Sequence, residues 1–107
     1  MLDCATLLRA VDRLAGRFRA LPQSRLRGAV AEAGLALARE LAAEAQRIEF
    51  PGREVRIIPD EGVFVVGDQI AVAGHELAAA LEPYPAYEER LDAAVRRVEA
   101  VAKACGL

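Results

Sequence analysis

Glu54-Val55-Arg56-Ile57-Ile58-Pro59-Asp60-Glu61-Gly62-Val63-Phe64-Val65-Val66-Gly67-Asp68-Gln69-Ile70-Ala71-Val72 is the stretch on which the fold class turns. Over its first five residues polar Glu54 and Arg56 alternate with apolar Val55 and Ile57, the two-residue period of a strand with one wet face. Val63 to Val66 is apolar throughout, which suits a strand buried on both faces. Gln69-Ile70-Ala71-Val72 follows as a third short run. Pro59-Asp60-Glu61-Gly62 carries turn residues, and Gly67-Asp68 has the length and leading glycine of a type II′ hairpin loop. The expectation is a three-stranded antiparallel β-meander with its first strand at the edge.

Upstream, helical spacing takes over. From Asp3 to Leu21 the residues Leu7, Val11, Leu14, Ala15 and Phe18 recur on one face, with Cys4 on the same stripe and Asp3 placed as N-cap. Pro22 stops this helix, and Ser24 opens a second one running to about Ile48. The two read as a helical hairpin. In the second helix Leu26, Val30, Ala33, Leu37, Leu41 and Ile48 form one apolar face, while Ala31, Leu35, Ala38, Ala42 and Ala45 form another. That leaves a narrow polar strip and apolar surface on both flanks. Downstream, Gly74-His75-Glu76 leads into a short helix, Glu76 to Leu81. After Pro83-Tyr84-Pro85 a final amphipathic helix runs from about Ala86 to Ala104, with Tyr87, Leu91, Ala94, Val95, Val98, Val101, Ala102 and Cys105 on one face. The order α-α-β-β-β-α-α describes a single α+β domain over residues 1–107.

Composition excludes more than it assigns. The chain has 107 residues, 54% hydrophobic and 28% charged, enough for a proper core. Net charge is −2 from 14 basic and 16 acidic residues, so no long-range field draws the molecule to a polyanion. The distribution is uneven: residues 1–27 hold Arg9, Arg13, Arg17, Arg19, Arg25 and Arg27 against only Asp3 and Asp12. Cys4 and Cys105 stand far apart, which leaves no CxxC redox pair or zinc knuckle, and both fall on apolar stripes as small core residues. A start interrupted by Asp3 and Arg9, with no uninterrupted apolar run of bilayer length, points to a cytoplasmic protein with no membrane partner.

Motifs for chemistry are sparse. The only histidine, His75, lies beside Glu76 and could form a cleft with Asp60 and Asp68 for a small molecule or a reaction, but no HExxH spacing accompanies it. Gly62, Gly67 and Gly74 are too far apart to cradle a phosphate, and the single serine, Ser24, lies outside any GxSxG elbow. No catalytic residue, cofactor or metal site is assigned. Arg9, Arg13 and Arg17 form an i, i+4, i+8 row able to meet anions, which gives an alternative reading as a nucleic-acid binder through the arginine-rich hairpin; base-reading side chains are scarce beside it. The leading expectation is a non-enzymatic, cytoplasmic protein-interaction module whose partner is another copy or another protein. It would be a homodimer through helix packing. The interface residues on this reading are Ala31, Leu35, Ala38 and Ala42, with Tyr84 and Tyr87 in the proline-flanked connection.

Overall fold

No strand forms anywhere: in the computed structural model, which describes residues 1–107, the chain is all-α. The helices are α1 (Ala5–Ala20), the single turn α2 (Gln23–Leu26), α3 (Ala29–Glu49), α4 (Val66–Leu81) and α5 (Glu88–Ala104). The α+β architecture with its β-meander is therefore corrected. Residues read as the second and third strands and the short helix after them are instead a 3₁₀ turn, Val63–Val65, running directly into α4.

The reason lies in how burial competes with local preference. Val66, Ile70, Ala73, Leu77, Ala78, Ala80 and Leu81 are all buried, a pattern that keeps the helical period across the whole of 66–81. A valine or isoleucine costs at most about 0.7 kcal/mol relative to alanine in a helix. Fully burying its side chain contributes about 1.5–3 kcal/mol. Burial wins, and the β-branched run becomes helix.

Gly67 and Gly74 are not turn residues. They sit seven apart, two helical turns, on the face of α4 that meets α1. A Cβ on Gly74 would collide with both Val11 methyls, and one on Gly67 would stand 3.0 Å from the main-chain oxygen of Ala15. Both glycines let two helices approach closely. Gly34 does the same for α3, where the Phe18 ring and Val66 occupy the space a side chain would need.

The helical hairpin differs in detail from expectation. Leu21 is extended before Pro22, as a residue preceding proline prefers. Residues 24–48 are not one helix: Gly28 adopts a φ of +68° between α2 and α3, a region that suits glycine. Asp3 does accept a hydrogen bond at the start of α1, from the Ala5 N–H at 2.9 Å, whereas Ser24 caps nothing. At the far end α5 closes with Gly106 in the left-handed region and the Leu107 N–H bonded back to the Ala102 carbonyl, a Schellman closure.

α4 is the central element, packed between α1 and α3, with α5 resting on α1 and α3. Twenty-four buried residues drawn from α1 through α5 and the two cysteines form one cluster. Val63–Leu81 has the length and composition of a bilayer-crossing helix. In this fold the same apolarity is what a helix enclosed by two others requires. Ion pairs tie the layers at their rims: Arg19 to Asp68 between α1 and α4 at 2.8 Å, and Arg97 to Glu44 between α5 and α3.

Candidate functional site

Between α3 and α4 the chain crosses the surface as a strap, residues 50–62, with no regular structure of its own. It is held by side chains from the helices. The Gln46 amide makes two bonds to one residue, accepting from the Arg56 N–H at 2.8 Å and donating to the Arg56 carbonyl at 2.9 Å. Only extended backbone points the N–H and C=O of one residue the same way, so Arg56 is extended. Two residues on, the Ile58 carbonyl accepts from Arg39 Nε at 2.8 Å, and the Pro59 carbonyl accepts from Gln69 Nε2 at 3.0 Å. Asp60 then turns the chain by accepting from the Gly62 N–H.

This arrangement explains the alternation at Glu54–Ile57 without a sheet. Helix side chains take the place of a neighbouring strand. By the same alternation the N–H and C=O groups of Val55 and Ile57 face away from α3, and neither residue makes a main-chain hydrogen bond within the chain. One edge of the strap is clamped by α3, and the other is open from Val55 to Ile57 before Gln69 of α4 takes the Pro59 carbonyl. Beside the strap lies a groove of about 950 Å³ floored by Ala42, Ala45 and Ala73. Its rim carries apolar side chains in water: Ile57 is 73% exposed, Val72 58% and Phe50 48%. Arg53 lies over the Phe50 ring, its guanidinium carbon 5.3 Å from the centroid.

The clamp makes a local prediction. Gln46→Ala removes both bonds to Arg56 while leaving the core untouched. Trypsin should then cut after Arg53 and Arg56 at least severalfold faster than in the parent protein, with global stability changed by less than about 1 kcal/mol, because exposed hydrogen bonds contribute little net. Unchanged cleavage rates would show that Gln46 does not hold the strap.

The chain matches no protein-family model, no curated protein and no solved structure.

The residues singled out from sequence fall as follows. Ala31, Ala38 and Ala42 are buried inside the subunit and Leu35 is half-buried, so this stripe is occupied by packing within the chain. Tyr84 and Tyr87 do meet, their ring centroids 5.0 Å apart at 35°, with Arg90 over the Tyr87 ring at 4.4 Å. Tyr87, the last residue of the 3₁₀ turn Pro85–Tyr87, packs against the core, and Tyr84 stays exposed. Arg9, Arg13 and Arg17 line the exposed face of α1. Arg9 donates to the Thr6 hydroxyl, and neither Arg13 nor Arg17 has a carboxylate partner.

His75 lies inside α4 and not at a strand–helix junction. Its Nε2 is 2.7 Å from Asp12 Oδ1 on α1. Asp68 pairs with Arg19 and Asp60 shapes the strap's turn, so the three residues of the suggested cleft each serve a separate local contact. Nowhere do three or more His, Cys, Asp or Glu side chains gather as metal ligands would. Both cysteines are free and buried. Burial pushes each thiol above its ordinary pKa, with Glu82 and Asp3 adding to the effect at Cys4, which donates to the Ala78 carbonyl. A raised thiol pKa opposes nucleophilic use.

Sequence reasoning missed the strap's clamps. Arg39 reads as one more charge on a polar strip, and Gln46 and Gln69 give no periodic signal at all. A side chain that pairs with backbone ten residues away leaves no trace in helical spacing.

Proposed function

We propose that this chain is a small cytoplasmic protein-interaction module that associates with a second copy of itself through the strap and the groove beside it. The carrying observation is the conjunction at one place of an open backbone edge at Val55 and Ile57 with exposed Ile57, Phe50 and Val72. Singly exposed apolar residues are ordinary on any protein. Three around one groove, next to unpaired backbone groups, supply both terms of a specific contact: apolar area and directional hydrogen bonds. The small-residue stripe of α3 cannot serve, since it already packs within the subunit. No reactive side chains converge in the groove, whose charged members are Glu49, Arg53, Glu54, Arg56 and Glu76; mixed charge around an apolar floor suits a protein partner better than a substrate.

Sedimentation equilibrium from low micromolar to near-millimolar concentration tests the reading. The expected result is a reversible equilibrium between the 11.5 kDa chain and a species of twice that mass. A single 11.5 kDa species at every concentration would exclude self-association.

A further inference from the structure

Resting on that reading, we infer that two copies join by antiparallel pairing of their straps about a two-fold axis at Val55. Of the odd-numbered residues between Pro51 and Pro59, Val55 and Ile57 have both N–H and C=O free and outward, since Arg56 and Ile58 face Gln46 and Arg39, the Arg53 N–H donates to the Phe50 carbonyl and the Pro59 carbonyl accepts from Gln69. The hydrogen-bonded positions of any antiparallel pair must therefore be odd residues opposite odd residues. That leaves few registers. An axis at Glu54 sets Glu54 against its own copy, and an axis at Arg56 sets Arg56 against its own copy; like charges directly opposite oppose pairing. An axis at Ile57 sets Val55 against Pro59, which has no N–H to give and whose carbonyl already serves Gln69. An axis at Val55 sets each Glu54 opposite the other copy's Arg56, twice by symmetry, and each Val55 opposite the other. Each Ile57 then faces the other copy's Arg53, whose N–H already donates to the Phe50 carbonyl but whose carbonyl can still accept from the Ile57 N–H, so the Val55 pair is the one complete rung and the ladder ends at Arg53. Glu54 and Arg56 are exposed, and neither side chain has an ionic partner within its own chain. In this register both are matched.

The flanking sequence limits the contact. Pro51 and Pro59 bracket the pairing stretch, and a residue without an N–H ends a ladder. The clamped edge of each strap is already closed by its own α3. Two copies thus complete each other and leave no edge for a third, which gives a closed, isologous dimer and not a growing fibre.

The test combines charge exchange with a cross-link. Glu54→Arg and Arg56→Glu should each weaken dimerisation at least tenfold in sedimentation, because each places like charges opposite one another twice. The double exchange E54R/R56E recreates opposite-charge pairs and should restore dimerisation to within about threefold of the parent. Opposed residues in a hydrogen-bonded antiparallel pair have Cα atoms about 5.5 Å apart, within disulfide range. Val55→Cys should therefore oxidise to a dimer linked through residue 55, identified by peptide mass, while Ile57→Cys should not link to itself. Circular dichroism of each exposed-site variant confirms that the helices are retained. A dimer whose strength ignores all three charge variants, and in which Val55→Cys forms no cross-link, overturns the strap register while leaving self-association in place. A monomer in the parent protein overturns both.

Discussion

Phe18→Ala is expected to lower the free energy of unfolding by about 3–5 kcal/mol, the range for removing a buried aromatic ring from a packed core. Phe18 is 1% exposed and stands where three helices meet. Its ring edge fills the space over Gly34 on α3, and its Cβ lies against Gly67 on α4. Both facing positions are glycine, so neither Gly34 nor Gly67 supplies a side chain to fill the void. Chemical denaturation followed by circular dichroism measures the loss. Against a total stability of about 5–15 kcal/mol for domains in general, this is a large share of what holds the fold together. Phe18→Leu should keep a large part of that stability by keeping most of the apolar volume. A loss below about 1 kcal/mol for the alanine variant would mean that α1, α3 and α4 do not converge on this ring.

Gly74→Ala is the second. In an exposed helix this change stabilises by about 1 kcal/mol. Here the new methyl would run into the two Val11 methyl carbons and sit 2.9 Å from Val11 Cβ, too close to be relieved by a side-chain rotation alone. Over-packing of this kind costs about 1–3 kcal/mol and forces α1 away from α4. A net loss is expected, opposite in sign to helix propensity. Gly16→Ala provides the contrast within the same fold: that position is exposed, nothing lies within 4 Å of its new methyl, and a gain of about 0.5–1 kcal/mol is expected. Combining Gly74→Ala with Val11→Ala should recover at least about 0.5 kcal/mol relative to the sum of the two single changes, because the second substitution removes the two methyls nearest the new carbon and leaves only the Val11 Cβ position to be relieved by a small helix shift. Additive losses would place Val11 and Gly74 apart.

Two helices were legible from spacing alone. In α1 and at its N-cap the residues Cys4, Leu7, Val11, Leu14, Ala15 and Phe18 are buried, and in α5 the residues Leu91, Ala94, Val95 and Val98 are. Each has a polar face and an apolar face, so its period stands out. α4 buries nine of its sixteen residues, and its exposed face mixes Val72 and Ala79 with Asp68, His75 and Glu76, so its polar positions are too few to make the period stand out. What remained was a β-branched run and two glycines, which resemble strands and a hairpin loop. The signal against that reading was the seven-residue interval between Gly67 and Gly74, with Val66, Ile70, Ala73 and Leu77 keeping helical step across both.

The strap is a different case. Alternation at Glu54–Ile57 does mark extended backbone at Arg56, but extended backbone is not a sheet until something pairs with it. Helix side chains supply that pairing on one edge, through Gln46 and Arg39, and such contacts depend on tertiary placement. The cleft around His75, Asp60 and Asp68 failed for the same reason. It rested on His75 lying at a loop, and a histidine in the middle of α4 meets Asp12 on α1 instead.

Residue-resolved amide hydrogen exchange at two protein concentrations tests the account most directly. At low concentration the amides of Ile70, Ala73 and Leu77 should exchange only through near-global unfolding, Arg56 should be slowed by its bond to Gln46, and Val55 and Ile57 should exchange freely. Raising the concentration should slow Val55 and Ile57 selectively. If instead Val55 and Ile57 exchange at the same rate at both concentrations, the straps do not pair, and if Ile70, Ala73 and Leu77 lack helical protection, α4 is not the buried central helix of this chain.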